Sequence, residues 1–346
     1  MIPFLIVFVV AFLISIALTP FCGDLGRHLN IVDKPGGRRG HTTPTPRLGG
    51  IALYVAFILA TVVSLYIPPD WLPPSPEGPD PKEMVRLTAL MVGSTFIFIA
   101  GLIDDKYQLR AGTLFAIQFI AALIAISGLI FIDRVNSPFT NELVFFPWYV
   151  TVSLTTFWIM GMINTVNWLD GLDGLASGVV AIAVAVFTIH MWREGQYSVV
   201  FLPLALLGAA LGFLPHNFPG RIFMGSSGAL FLGFTLGALS IMAGAKVATA
   251  LLVLCIPILD VAWLMIYRLH GGRSFARAGR DHLHFRLLEM GLSQRAVVLI
   301  YYSASICLGA LALLVSSRLY KLLALVMLGL GAFAFLFFVA RRTEQQ

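Results

Sequence analysis

Charge is scarce in this chain. Lysine, arginine, aspartate and glutamate make up only 12% of its 346 residues, about half the share in an ordinary soluble domain. With 58% hydrophobic residues and a mean hydropathy of +0.89, the solvent for most of the chain is lipid. Cysteine is equally sparse. Cys22, Cys255 and Cys307 lie in or beside apolar runs at no metal-ligand spacing, which excludes a disulfide framework and a zinc site. A continuous basic face is missing too: the net charge of +6 is spread over short gaps between apolar runs, which argues against nucleic-acid binding. No positively charged stretch precedes the first apolar run, and Arg-rich, motif-like sequence follows it. That run is therefore expected to stay as a helix and not to be cleaved as a signal peptide.

The long apolar runs set the architecture. A bilayer-crossing helix needs about 20 mostly apolar residues, because its backbone polar groups must be satisfied within the segment. Eleven stretches meet this expectation: 3–20, 48–67, 87–103, 112–132, 146–163, 174–191, 198–214, 227–243, 247–267, 298–316 and 321–340. The expected fold class is an all-α polytopic membrane protein, one integral-membrane domain over 1–346. Arg27, Lys34, Arg38, Arg39 and Arg47 fill the first connection; Arg268, Arg273, Arg277, Arg280, Arg286 and Arg295 fill the ninth. The second instead carries Asp70, Glu77, Asp80 and Glu83. The excess of basic residues makes the odd-numbered loops cytoplasmic, with the N-terminus outside and the C-terminus inside.

The loops dense in unusual polar residues are all odd-numbered ones. The first holds Asp33, Arg39, His41 and Arg47 among prolines and glycines, a composition that an ordinary solvated basic loop would explain equally well. Asp104 and Asp105 stand where the third span ends. Carboxylates there oppose the helix dipole at a cost of about 0.3–1 kcal/mol each, and a divalent cation would cancel that penalty with oxygen ligands of this kind. The fifth loop, Asn164 to Gly178, contains Asn164, Asn167, Asp170 and Asp173; the two acids share a face if the sixth helix has begun there. The seventh, with His216, Asn217, Phe223 and Gly225–Gly228, could present backbone N–H groups to an anion at a helix start. Asp260 lies inside the ninth apolar run, where an ionisable group faces a partner or a cavity. Beyond it, His282 and His284 sit among Arg280, Asp281 and Arg286.

Taken together, PTPRLGG, GLIDD, NTVNWLDGLDGLA, NFPGRIFMG, the PILD run ending at Asp260 and DHLHFRLLEMG, spread from about Thr19 to Ser293, resemble the polyprenyl-phosphate N-acetylhexosamine-1-phosphate transferase superfamily. The last piece is closer to the branch using UDP-N-acetylglucosamine than to the muramoyl-pentapeptide branch. The resemblance implies a bacterial inner-membrane enzyme that starts a cell-envelope glycan. A polyprenyl phosphate, by default undecaprenyl phosphate, attacks the sugar-bearing phosphorus of a UDP-sugar, and UMP leaves. It implies magnesium, or manganese, near Asp104, Asp105 and Ser226, and catalytic roles for Asp104, Asp105, Asp170, Asp173, His282 and His284. It implies substrate contacts from Arg47, Asn164, Asn167, Asn217, Phe223, Ser226 and Arg286, with Phe223 stacking on uracil, and a homodimer.

Two departures stand out: Ser226 occupies the place of the family's metal-binding aspartate, and Phe285 that of a histidine in HxHH. They leave open an active enzyme with an altered metal site or a catalytically weakened relative. A transporter or flippase is the rival from another class. It would place charge near the bilayer midplane, often within inverted repeats, whereas here the charges collect at one surface and no convincing repeat is found.

Overall fold

A computed structural model describes the chain except residues 34–43, 77, 79, 141, 244–246, 271–281, 316, 345 and 346. Lys34, Arg38, Arg39, His41, Glu77, Arg273, Arg277, Arg280 and Asp281 of the expected loops thus lie outside the described residues. The architecture is helical, as expected, with α1 Ile2–His28, α2 Gly49–Ser64, α3 Glu83–Tyr107, α4 Ala111–Ser127, α5 Trp148–Leu169, α6 Leu175–Arg193, α7 Phe201–Asn217 and α8 Gly225–Met242. There follow α9 Val247–Val253, α10 Cys255–His270, the short α11 Leu283–Glu289, α12 Gln294–Leu314 and α13 Arg318–Glu344. Two small antiparallel ribbons interrupt the all-α pattern: β1 Val32–Asp33 with β2 Thr45–Pro46, and β3 Arg134–Asn136 with β4 Leu143–Phe145.

Among the described residues, six helices are long and apolar enough to cross a membrane, or seven if α9 and α10 form one span bent by 84°. The chain is therefore a multi-pass membrane protein. The helices α2, α4 and α7 are apolar but only 16, 17 and 17 residues long, about 25 Å each against a hydrocarbon core of about 30 Å. The α9–α10 bend has a local cause. Pro257 cannot donate to the carbonyl of Val253 four residues earlier and its ring collides with it, and the helix breaks at Leu254.

At the centre stands α8, every residue of which from Ser227 to Met242 is buried; α2, α3, α5 and α6 surround it. A helix that is apolar all round belongs in such a position. Lipid gives no hydrophobic drive for helix association, so close packing holds such bundles together. The α1–α7 pair shows how: Gly208 and Gly212, one turn apart, leave room for α1, and a Cβ on Gly212 would sit 2.5 Å from the Phe12 carbonyl oxygen. Ser15 Oγ adds a 2.7 Å hydrogen bond to the Ala209 carbonyl. Gly212→Val is expected to force these helices apart and cost about 2–4 kcal/mol, read as a lower thermal midpoint and loss of the monodisperse peak in detergent.

Candidate active site

Five chain segments meet at one end of the bundle, around the start of α8. The first N–H groups of a helix lack partners within it. Here Asp105, from the last turn of α3, supplies them: Oδ1 accepts from Ser226 N at 2.7 Å, and Oδ2 accepts from Ser227 N at 3.0 Å and Ser227 Oγ at 2.7 Å. Arg47 Nη2 stands 3.7 Å from Oδ1. Gly225 precedes these donors at φ +69°, and a Cβ there would lie 2.6 Å from both Asp105 oxygens and 2.2 Å from the Arg47 carbonyl oxygen. The segment before α8 is laced to the start of α2: Phe223 N donates to Pro46 O, Gly49 N to Phe223 O and Gly50 N to Met224 O, at 2.8, 2.9 and 2.9 Å.

The adjacent acids therefore part company, since successive helical residues point about 100° apart. Asp105 is buried and its oxygens are engaged by protein donors. Asp104 is half-buried; its Oδ1 accepts from Leu109 N at 2.8 Å across the left-handed Gln108 that ends α3, and its Oδ2 accepts no hydrogen bond from a described residue. Ser226 is half-buried, and its backbone N–H is held by Asp105. Phe223, expected to stack on a base, is 1% exposed and forms part of the packing under the site, not an open platform.

The Asn164–Gly178 stretch differs from the expected loop. Helix α5 continues to Leu169 and α6 starts only at Leu175, so Asn164 and Asn167 are helical, while Asp170 and Asp173 lie in the turn and not on one helical face. Asn164 pairs with Gln118 of α4, donating to its Oε1 at 2.7 Å, so this amide links two helices instead of facing a ligand. Asn167, half-buried one turn later, makes no hydrogen bond with a described residue. Asp173 Oδ2 accepts from Gln294 Nε2 of α12 at 2.9 Å. Asn217 ties the turn to the loop before α8: its Oδ1 accepts from Gly174 N at 3.1 Å and Ser177 Oγ at 2.9 Å, and its Nδ2 donates to Ile222 O at 3.0 Å. Its amide acts within the scaffold on both sides.

On top of the turn lies α11. His284 Nε2 comes within 2.4 Å of the position a Cβ on Gly171 would take, so only glycine lets the histidine segment settle on the acids. Asp260 Oδ1 accepts from Leu283 N at 2.8 Å, and its Oδ2 stands 3.0 Å from His282 Nδ1. The buried acid read from the ninth apolar run thus has its partner. A carboxylate on one ring nitrogen fixes the imidazole's orientation and leaves Nε2 for other work. His282 stacks on His284 at 5.5 Å between centroids and faces Trp168 at 5.7 Å. Arg286 follows, buried on α11, and Phe285 lies against His284 at 4.3 Å.

Sequence reasoning left Gln118, Gln294 and Trp168 out of the site. Gln118 alone carried a signal, as a polar residue inside an apolar run; the others gain their roles by contact across the fold.

Among the described residues no group of three or more His, Cys, Asp or Glu is arranged to hold a metal. Magnesium needs no such cage: it keeps several waters and binds through one or two carboxylates plus substrate phosphates. The open oxygen of Asp104 and the hydroxyl of Ser226 fit that mode, whereas the oxygens of Asp105 have little left to offer.

Comparison with known proteins gives the family and its relatives. The description Glycosyl transferase family 4 matches residues 87–244, which carry Asp104, Asp105, Asp170, Asp173, Asn217 and Ser226. A probable undecaprenyl-phosphate N-acetylglucosaminyl 1-phosphate transferase of Bacillus subtilis is 32% identical over 310 residues, covering 87% of this chain and 82% of that protein. A decaprenyl-phosphate N-acetylglucosaminephosphotransferase of Mycolicibacterium smegmatis is 33% identical, with 84% and 77% covered. The undecaprenyl-phosphate alpha-N-acetylglucosaminyl 1-phosphate transferase of Escherichia coli K12 is 27% identical, with 85% and 79% covered.

Proposed function

Because the chain belongs to glycosyl transferase family 4, we propose that it transfers N-acetylglucosamine 1-phosphate from UDP-N-acetylglucosamine to a polyprenyl phosphate. A phosphate oxygen of the lipid forms the new bond to the sugar-bearing phosphorus, the pyrophosphate P–O bond breaks, and UMP leaves with the bond's electron pair. The observation that supports it most is the seating of the Asp260-oriented His282 and His284 on the Asp170–Asp173 turn, which Asn217 ties to the segment leading into α8, where Asp105 of α3 binds.

Phosphoryl transfer asks a protein mainly for positioning and charge stabilisation. Asp105 serves by holding the start of α8, and so Ser226 and the Arg47 segment, in place. Asp104, with an open oxygen, orients the attacking lipid phosphate. His282, fixed by Asp260, and Arg286 hold the pyrophosphate or the sugar. Magnesium, or manganese, brought in with the nucleotide sugar would rest on Asp104 and Ser226 and neutralise pyrophosphate charge. We read the membrane topology as eleven spans with the N-terminus outside and this site facing the cytoplasm, the compartment that holds nucleotide sugars.

The test is UMP release by the purified protein given undecaprenyl phosphate, magnesium and a panel of UDP-N-acetylhexosamines. Magnesium-dependent UMP release with UDP-N-acetylglucosamine is expected; silence across the panel, from folded protein, overturns the reading. Ser226 bears on the metal directly. Replacing a neutral hydroxyl by a carboxylate in Ser226→Asp is expected to lower the magnesium concentration for half-maximal rate about tenfold. The same variant should show larger thermal stabilisation by magnesium without substrate.

A further inference from the structure

Two cavities adjoin at the end of the bundle opposite the candidate active site. Arg86 on α3 is 18 residues before Asp104, about 27 Å along the helix axis, which is close to the thickness of the hydrocarbon core. The first cavity, about 590 Å³, gathers Asp80, Lys82 and Arg86 near the start of α3, Asp133 and Arg134 after α4, and Glu194 after α6. The second, about 380 Å³, is a groove between α3 and α4 lined by Met84, Val85, Thr88, Ala89, Val92 and Ile124. Consecutive residues border the two: Arg86 and Leu129 face the charged cavity, Val85 and Gly128 the apolar groove.

The same end of the molecule carries exposed aromatic residues, Tyr66 and Trp71 between α2 and α3, Phe139 in the β3–β4 ribbon, and Trp148 and Tyr149 at the start of α5. Tyrosine and tryptophan concentrate at the membrane–water interface, so the charged cavity sits at headgroup level with its groove reaching into the acyl region.

The charges select among headgroups. Three acids and three bases line the cavity, and two pairs form within it, Arg86 Nη1 to Asp80 Oδ2 at 2.6 Å and Arg134 Nε to Asp133 Oδ1 at 3.7 Å. Lys82 makes no ion pair with a described residue, and Gln196 Oε1, also in the lining, is buried without a hydrogen-bond donor among them. The cavity therefore offers a cation for a phosphate and, at Gln196, an unmet acceptor for an ammonium. A headgroup that carries a phosphate and no donor would leave the Gln196 acceptor unmet.

We propose that these cavities bind a zwitterionic aminophospholipid, with its phosphate at Lys82 and Arg86, its ammonium at Gln196 and Asp133, and one acyl chain in the α3–α4 groove. The proposal needs the membrane embedding and not the transferase reading. It is tested by native mass spectrometry of the detergent-purified chain titrated with dioleoyl phosphatidylethanolamine or dioleoyl phosphatidylglycerol. One phosphatidylethanolamine per chain is expected at about tenfold lower concentration than phosphatidylglycerol. Thr88→Trp, which fills the groove from an exposed position, should weaken that binding about tenfold, and Asp133→Lys should reverse the preference toward phosphatidylglycerol. Equal or stronger phosphatidylglycerol binding by the native chain overturns the proposal, a comparison that requires no variant to fold. So does phosphatidylethanolamine binding that neither variant changes; should Thr88→Trp not fold, Val92→Trp fills the same groove.

Discussion

Asp105→Asn is expected to lower stability by about 2–4 kcal/mol, while Asp104→Asn, one residue away, leaves stability within about 0.5 kcal/mol and abolishes turnover. The carboxylate of Asp105 accepts three hydrogen bonds from the start of α8 and faces Arg47, with its side chain fully buried. An amide of the same shape has one accepting oxygen. Whichever way it is turned, its NH2 group meets an N–H donor of Ser226 or Ser227, and Arg47 loses its counter-charge. Asp104 gives one oxygen to Leu109 N and keeps the other open at a half-buried position, so its replacement disturbs chemistry and not packing. Thermal unfolding in detergent and UMP release, measured side by side, separate the two roles. A midpoint shift that is the same in both variants, or a stable Asp105→Asn, would show that the cap on α8 does not matter as argued.

Asp260→Asn should reduce kcat about 10- to 100-fold with KM little changed, the usual size of losing a group that orients a functional histidine. Asparagine keeps an oxygen for Leu283 N, so α11 stays attached. What changes is the partner of His282 Nδ1, and with it the ring's orientation. If the two residues act as a unit, Asp260→Asn combined with His282→Ala is no slower than His282→Ala alone. Losses that multiply in the double variant would mean Asp260 acts on something other than His282.

Much of this site could be read before any fold was known, and the reasons are physical. A carboxylate inside or beside an apolar run is costly enough in lipid to stand out, which is why Asp104, Asp105 and Asp260 drew notice singly, whereas Asp170, Asp173, His282 and His284 drew it only as part of the set of motifs. The scarcity of charge declared the lipid environment, the run lengths declared helices, and the basic loops supplied the topology now proposed.

The division of labour among those residues was not legible, because it depends on which neighbour each side chain meets. Asp104 and Asp105 are alike in sequence; the turn of α3 sends one into the N–H groups of α8 and the other toward the open side. Asn164 and Asn217 look like ligands of a polar loop, yet each amide is taken up by protein partners, Gln118 in one case and the distant Gly174 turn with the nearby Ile222 in the other. Phe223 is an aromatic in a loop by sequence and a buried side chain in the fold. Even the acid pair at 170 and 173 changes meaning with the helix boundary, since α6 begins two residues after it. Sequence alone determined the solvent, the helices and the inventory of costly polar groups, because those follow from composition and local spacing. Only the tertiary structure decided which of those groups hold the scaffold and which remain open to a substrate, because a hydrogen bond between residues more than a hundred positions apart has no local signature.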